Sequence, residues 1–144
     1  MKNRSVFIIK PDAYKSTDRI IFDLEKRYDV TIVKEFECTP DITAKLYPSD
    51  VLQQYFRGIC DYMLESPCIL GQVRGKNALN DLFQYAGIKS HPRVCEPGTI
   101  RNTYGVGEER TKCGIIIVKN AIHRPKSIFE LLHDELIFAL GPKI

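Results

Sequence analysis

Three histidines in this chain of 144 residues offer rings that can act as nucleophiles or proton carriers near neutral pH. His123 follows the apolar run at 115–118 and precedes Ser127-Ile128-Phe129-Glu130, a pattern typical of a capped helix start. Because a helix N-terminus favours anions, a phosphate could lie beside this ring. The alternative is a structural histidine with satisfied nitrogens. We interpret His91, in a loop, and His133, in mid-helix, as structural or surface residues, since neither has a matched partner.

Two cationic side chains stand where a phosphate could be held. Lys10 closes the apolar run of the first predicted strand, at a sheet end, and its alternative role is a solvated strand terminus. Arg101 follows the turn-forming Pro97-Gly98, and its guanidinium fork matches phosphate oxygens. A surface arginine is the alternative there.

Glycine-rich phosphate loops are absent from the sequence. Residues 71–77 look like such a loop but are one residue short and end in Asn, so we interpret them as a strand and a turn. Residues 105–110 lack the third glycine of a dinucleotide fingerprint. If phosphates bind, side chains must hold them.

Four strands and several helices must position these residues. Apolar runs predict strands at 4–10, 30–37, 68–73 and 115–118. Helical spacing and capping residues predict helices at 17–28 and at 42–64, the latter in two or three short pieces interrupted by Pro48 and Gly58. They also predict helices at 77–85, ended by Gly87, and from 127 to just before Gly141. Residues 89–107 have no apolar period and predict an ordered loop. The order predicts an α+β fold, with a ferredoxin-like βαββαβ antiparallel sheet and additional helices.

Composition limits the class of protein. We expect one domain, 1–144, of an ordinary globular kind, and the net charge of +3 makes nucleic acid an unlikely partner. Five widely spaced cysteines without a C-x-x-C pair predict reduced thiols and a cytoplasmic protein. Residues 1–15 lack the apolar core of a signal peptide, and no run approaches the roughly 20 apolar residues of a membrane span, so we expect no membrane partner.

Three segments together resemble the nucleoside diphosphate kinases. They are Phe7-Ile8-Ile9-Lys10-Pro11-Asp12, Pro97-Gly98-Thr99-Ile100-Arg101 and Asn120-Ala121-Ile122-His123, in the family's order. The resemblance implies a ferredoxin-like fold, a homo-oligomer (hexamer or tetramer), and exchange of the terminal phosphate between nucleoside triphosphates and diphosphates. It also implies a ping-pong reaction through a phosphohistidine, with Mg²⁺ bound mainly through the nucleotide phosphates and no protein metal site.

The same resemblance implies a role for individual residues. His123 would be the phosphoacceptor, and Lys10 would contact the γ-phosphate and a ribose hydroxyl. Nucleotide binding would further involve Arg101 and Ser90 at the phosphates, Asn120 at the ribose, Tyr47 beside the histidine, and Tyr55 stacked on the base with Ile59 next to it. An aromatic face binds any base without reading its edge. A carboxylate of the last helix, Asp134 or the adjacent Glu135, would orient the ring.

The sequence departs from the family pattern at three places. Arg124-Pro125-Lys126 replaces a small and acidic segment after the histidine, and Phe83 stands where a second phosphate-binding arginine is expected. Arg93 or Arg124 could supply that guanidinium in space. An insertion falls at 107–114, where it could form a surface loop, a subunit contact or a cover on the site.

These departures leave a rival function open. The leading hypothesis is a nucleoside diphosphate kinase, and the rival is a catalytically weakened nucleotide-binding or scaffold protein of the same fold. A ferredoxin-like nucleic-acid binder is a third reading, disfavoured by the near-neutral charge.

Overall fold

The centre of the molecule is a four-stranded antiparallel sheet, seen in a computed structural model that describes residues 2–140. Its strands are β1 (Arg4–Ile9), β2 (Asp29–Phe36), β3 (Cys68–Arg74) and β6 (Ile122–His123), in the order β2-β3-β1-β6. A separate hairpin pairs β4 (Gly107–Arg110) with β5 (Ile116–Lys119). The βαββαβ prediction is therefore confirmed for the main sheet.

Within residues 2–140, five α-helices lie between the strands and a sixth follows β6. They are α1 (Thr17–Glu25), α2 (Pro40–Leu46), α3 (Phe56–Met63), α4 (Ala78–Ala86), α5 (Ile100–Tyr104) and α6 (Ile128–Ile137). Short 3-10 turns cover Pro11–Ser16, Pro48–Asp50 and Pro92–Val94. The segment 42–64 is broken at Pro48 as predicted, because Pro48 cannot continue α2, whereas Gly58, the other predicted break, lies inside α3. The last helix ends at Ile137, and Gly141, which the sequence places beyond its end, lies outside the described residues.

Successive side chains of β1 point to opposite faces of the sheet, and a hydrophobic core lies on each face. Phe7 and Ile9 pack against α1 and α4, whereas Ile8 packs with α2, α3 and α6 on the opposite face. Phe7 lies directly opposite Gly71 on β3, and a Cβ at that glycine would overlap the Phe7 ring. The close approach of this ring to the neighbouring backbone therefore requires glycine.

The fourth strand was predicted in the wrong place. The apolar run at 115–118 lies in the hairpin with β4, and the edge of the main sheet is instead the two-residue strand β6, where His123 pairs with Ile8. His123 therefore lies within an edge strand and does not follow a central one. The loop predicted at 89–107 is also partly wrong, since it contains a 3-10 turn and α5, whose Thr99 side chain caps Asn102 N.

Among residues 2–140, no helix has the length and apolar composition needed to cross a membrane.

Candidate active site

The backbone before His123 is held in an uncommon conformation. Ala121 has φ of 71°, in the left-handed region that non-glycine residues rarely adopt. Its amide donates to the Asp12 carboxylate, at 3.2 Å to each oxygen, and its carbonyl accepts from Lys10 N at 2.7 Å. These bonds hold the backbone of Ala121 in its strained conformation where the chain enters β6. Backbone strain that is maintained by the surrounding structure is typical of functional sites.

One nitrogen of the His123 ring is bound by a carboxylate. His123 Nε2 lies 2.9 Å from Asp134 Oδ2, and only 14% of the histidine side chain and 4% of the aspartate side chain are exposed. Glu135, the other candidate, instead forms an ion pair with Arg4. No other hydrogen bond to the His123 ring occurs within residues 2–140, so Nδ1 remains available to a ligand.

Lys10 joins this site as a buried cation. Its Nζ donates to Asn120 Oδ1 at 2.8 Å and lies 5.2 Å from the centroid of the Tyr47 ring. Asn120 Nδ2 in turn donates to the Ser90 carbonyl at 3.1 Å. The pKa of Lys10 is lowered to about 7, mainly by burial and next by the charge of Arg101, whereas Asp12 raises it. The ammonium therefore lacks a full counter-charge.

Arg101 is also buried, but backbone carbonyls occupy much of its guanidinium. Nε and Nη2 donate to Ile122 O, and Nη1 donates to Gly87 O and Lys89 O. Burial lowers the pKa of this guanidinium. Arg101 thus ties β6 to the loop after α4 while adding positive charge near His123.

A cavity of about 820 Å³ opens onto these side chains. Six of the seven predicted site residues line it: Lys10, Tyr47, Ser90, Arg101, Asn120 and His123. The Tyr47 hydroxyl oxygen is inaccessible to solvent and has no hydrogen-bond partner in the described part of the chain. Because a buried hydroxyl without a partner is unfavourable, this group is suited to a polar ligand in the cavity.

A second cavity of about 450 Å³ adjoins the first and shares Lys10, Tyr47, Asp50, Ser90 and Asn120 with it. Its other lining residues are mostly apolar or aromatic: Tyr55, Ile59, Tyr62, Ile116, Ile117 and Val118. Tyr55, the seventh predicted residue, is 40% exposed, and its hydroxyl donates to the Asp50 carboxylate. An aromatic face at one end and cations at the other suit a nucleotide.

Strand β5, which pairs with β4 of the insertion, forms one wall of this second cavity. β5 packs against α3 at Gly58, where a Cβ would come within 2.8 Å of Ile115 and 2.9 Å of Ile117. Lys119 Nζ contacts Glu65 at 2.6 Å and also Glu109, so it joins the hairpin to the end of α3. No residue of 107–114 lines either cavity, so the insertion adjoins the site only through its pairing with β5.

Sequence reasoning missed Asp12. Its carboxylate accepts from Ala121 N, from the Tyr62 hydroxyl at 2.6 Å and from Val106 N at 3.2 Å. The signal was present in the Lys-Pro-Asp motif, where Pro11 starts a 3-10 turn directly after β1 and brings the carboxylate back toward the sheet end. Asp12 positions the backbone of the histidine and lines neither cavity.

Groups of three or more His, Cys, Asp or Glu side chains suited to a metal ion are absent from residues 2–140. Three carboxylates line the cavities. Asp50 lines both, whereas Glu130 and Asp134 line the larger one, and Asp134 is already bonded to His123. Mg²⁺ usually needs only one or two carboxylates when phosphates supply further oxygens, so the residues fit a metal carried mainly by a ligand.

Together, the site offers one free imidazole nitrogen, buried cations beside it and an apolar slot next to them. Such a set can bind a phosphate ester with an aromatic base and accept its phosphoryl group on nitrogen.

Comparison with known proteins agrees with this arrangement. A family model described as nucleoside diphosphate kinase matches residues 3–139. The chain is 28% identical to a nucleoside diphosphate kinase of Thermoplasma acidophilum, over 96% of this chain and 88% of that protein. It is also 28% identical to one of Methanocaldococcus jannaschii, over 74% of this chain and 77% of that protein.

Solved structures share the fold. The Aquifex aeolicus nucleoside diphosphate kinase superposes with a TM-score of 0.77 at 22% identity, covering 99% of this chain and 98% of that one. The Halobacterium salinarum enzyme, solved in complex with CDP, has a TM-score of 0.75 at 20% identity, covering 94% of this chain and 86% of that one.

Proposed function

Because the chain belongs to the nucleoside diphosphate kinase family, we propose that it transfers the terminal phosphate of a nucleoside triphosphate to a nucleoside diphosphate through phosphorylated His123. The observation that carries the proposal is the His123 ring itself. Asp134 occupies Nε2, and Nδ1 is free at a cavity lined by cations. The catalytically weakened alternative is not favoured, because this arrangement retains the groups that the reaction needs.

In the first half-reaction, Nδ1 attacks the terminal phosphorus while the bond to the bridging oxygen breaks. The electron pair of that bond leaves with the nucleoside diphosphate. The proton stays on Nε2, and Asp134 accepts its hydrogen bond and stabilises the positive charge that the ring acquires. No separate base is therefore required. A second diphosphate then accepts the phosphoryl group by the reverse of this step.

Charge neutralisation is the main task of the surrounding side chains. Arg101 lowers the pKa of the buried Lys10, and an anionic phosphate would relieve the repulsion between these two cations. The Tyr47 hydroxyl, lacking a protein partner, would donate to a phosphate oxygen. Ser90 and Asn120 lie between the two cavities, where the phosphates and ribose of a nucleotide would meet.

The base would lie in the smaller cavity, stacked on Tyr55 and flanked by Ile59 and the β5 side chains. Such contacts use the faces of the base and are tolerant of its identity. Mg²⁺ would be bound mainly by the phosphates, with Asp50 the carboxylate available to it, and would supply charge neutralisation.

We also propose that the chain assembles as a homo-oligomer, a hexamer or a tetramer. The edge strand β2 has one unpaired side, and Phe22 of α1 and Ile32 of β2 expose 61% and 43% of their surfaces. Open edges and exposed apolar side chains are typical of surfaces that pair with another chain. Sedimentation equilibrium measures the assembly directly, and a monomer at micromolar concentration contradicts it.

The proposed activity is tested by mixing γ-labelled ATP, Mg²⁺ and unlabelled GDP with the protein and following labelled GTP. We expect transfer by the wild type and none by His123→Ala. The exposed-surface variant Arg93→Ala serves as a control and should transfer at the wild-type rate. Binding of nucleotides without transfer by the wild type would support the non-catalytic alternative.

A further inference from the structure

Arg124 directly follows the proposed nucleophile, and its side chain turns back over α4. Its guanidinium carbon lies 4.5 Å from the centroid of the Phe83 ring, and both residues line the larger cavity with His123. Nη2 donates to Gly87 O at 2.9 Å and to Ile88 O at 3.3 Å. The stacked ring and the two carbonyls hold the guanidinium in one orientation.

This guanidinium is incompletely satisfied. Its Nε is inaccessible to solvent and has no acceptor among residues 2–140, and no carboxylate in that range lies within ion-pair distance of it. The pKa of Arg124 is lowered to about 10, mainly by burial and next by the nearby Arg101, whereas Glu130 raises it. A partly buried cation with an unpaired N–H is stabilised by an anion that accepts that hydrogen.

Arg101 is less able to serve such an anion. Three of its nitrogens already donate to backbone carbonyls, whereas in Arg124 only Nη2 does so. Of the two guanidiniums at the cavity, Arg124 therefore keeps more donors for a ligand. Arg93, the other arginine considered for this place, is exposed and lines neither cavity.

We propose that Arg124 binds the phosphates of the nucleotide beside His123, and that its stacking on Phe83 and its bonds to the 87–88 carbonyls orient it for that contact. The inference rests on the proposed function for the identity of the ligand. It assigns a substrate-binding role to a residue that the chain places immediately after the phosphoacceptor. It also brings the first residue of the Arg124-Pro125-Lys126 segment into the phosphate site.

The test compares a phosphate-bearing ligand with one that has none. Calorimetry measures the affinity for Mg²⁺ with a non-hydrolysable ATP analogue, and an NMR titration measures the affinity for adenosine. We expect Arg124→Ala to weaken analogue binding at least tenfold and to change adenosine binding less than twofold. Arg124→Lys keeps the charge but loses the fork, so we expect an intermediate loss. The matched control Arg93→Ala should bind both ligands like the wild type.

A reciprocal variant guards against a merely structural effect. In the double variant Phe83→Arg with Arg124→Gly, the guanidinium enters the same space from α4 instead of from position 124. We expect the affinity of this variant for the analogue to lie within about threefold of the wild-type value, because a charge-assisted contact with the phosphates is kept. Analogue binding by Arg124→Ala within twofold of wild type overturns the proposal. Equal losses for the analogue and adenosine do so as well, because they indicate a disturbed fold.

These outcomes are separate from those for the proposed function. If the wild type binds the analogue but transfers no phosphate, the kinase proposal fails while the role of Arg124 in binding stands or falls on its own measurement. If the wild type transfers phosphate and Arg124→Ala binds normally, only the present inference fails. Thermal unfolding of each variant identifies any that are not folded, in which case Arg124→Lys decides.

Discussion

Asp134 of α6 and His123 of β6 meet at 2.9 Å between Oδ2 and Nε2, with both side chains largely buried. This contact crosses from the last helix to the sheet edge and determines which ring nitrogen faces the cavity. It assigns the nucleophilic role in the proposed mechanism to Nδ1.

Removing the charge of Asp134 should slow the chemical step more than it weakens binding. We expect Asp134→Asn, which preserves the shape, to lower kcat by roughly a hundredfold, as for other orienting carboxylates. The Kd of a non-hydrolysable ATP analogue should change less than twofold. Stopped-flow phosphorylation and calorimetry measure the two quantities, and Asp41→Asn on the exposed surface of α2 is the control. An unchanged kcat would contradict the role of Asp134.

Nucleotide binding should be accompanied by proton uptake at Lys10. Its pKa is about 7 in the free protein, so at pH 8 the amine is mostly neutral, and a bound phosphate should restore the charge. We expect uptake approaching one proton at pH 8 and much less at pH 6, measured by calorimetry in buffers of different ionisation enthalpy. Lys10→Met should abolish the uptake at pH 8. Equal uptake in that variant would assign the proton to another group.

The same lysine makes the stability of the free protein depend on pH. The folded pKa of about 7 lies below the ordinary value of 10.5, so the unfolded chain binds more protons between these limits. The contribution of Lys10 to the free energy of unfolding therefore rises as pH increases from 7 to 10.5. Denaturant titrations of wild type and Lys10→Met should diverge with that sign, and a difference that falls with pH would contradict the burial of an uncompensated ammonium.

Stacking on Tyr55 should contribute a similar amount to the affinity for nucleotides of every base. We expect Tyr55→Ala to weaken ADP, GDP and CDP binding by about 1–3 kcal/mol each, the usual value for a base on an aromatic ring. Tyr55→Phe keeps the ring and loses only the bond to Asp50, so its affinities should stay near wild type. Fluorescence or calorimetric titration measures them. A loss confined to one base would indicate edge recognition instead.

The sequence was sufficient for the parts of the fold that depend on local pattern. The buried runs of β1 and β3 and the breaks at Pro48 and Gly87 all lie where predicted. The fourth strand of the main sheet could not be located from local pattern, because 115–118 is richer in β-branched residues than Ile122–His123. The place of β6 in the main sheet comes from its pairing with Ile8 and Ile9, which is a tertiary effect.

The site residues likewise include some that the sequence could locate and some that depend on tertiary packing. Motifs located Lys10, Arg101, Asn120 and His123, and these do line one cavity. The choice between Asp134 and Glu135 could not be made, since adjacent helical residues point about 100° apart and the packing of α6 decides which faces the ring. Here Arg4 engages Glu135, which leaves Asp134 toward His123.

The central claim is that His123 carries the phosphoryl group between two nucleotides. The protein is incubated with Mg²⁺ and γ-labelled ATP, freed of nucleotide, and assayed for label that is acid-labile, base-stable and transferable to added GDP. We expect such label on the wild type and none on His123→Ala. Absence of label on the wild type, or undiminished label on His123→Ala, would contradict it.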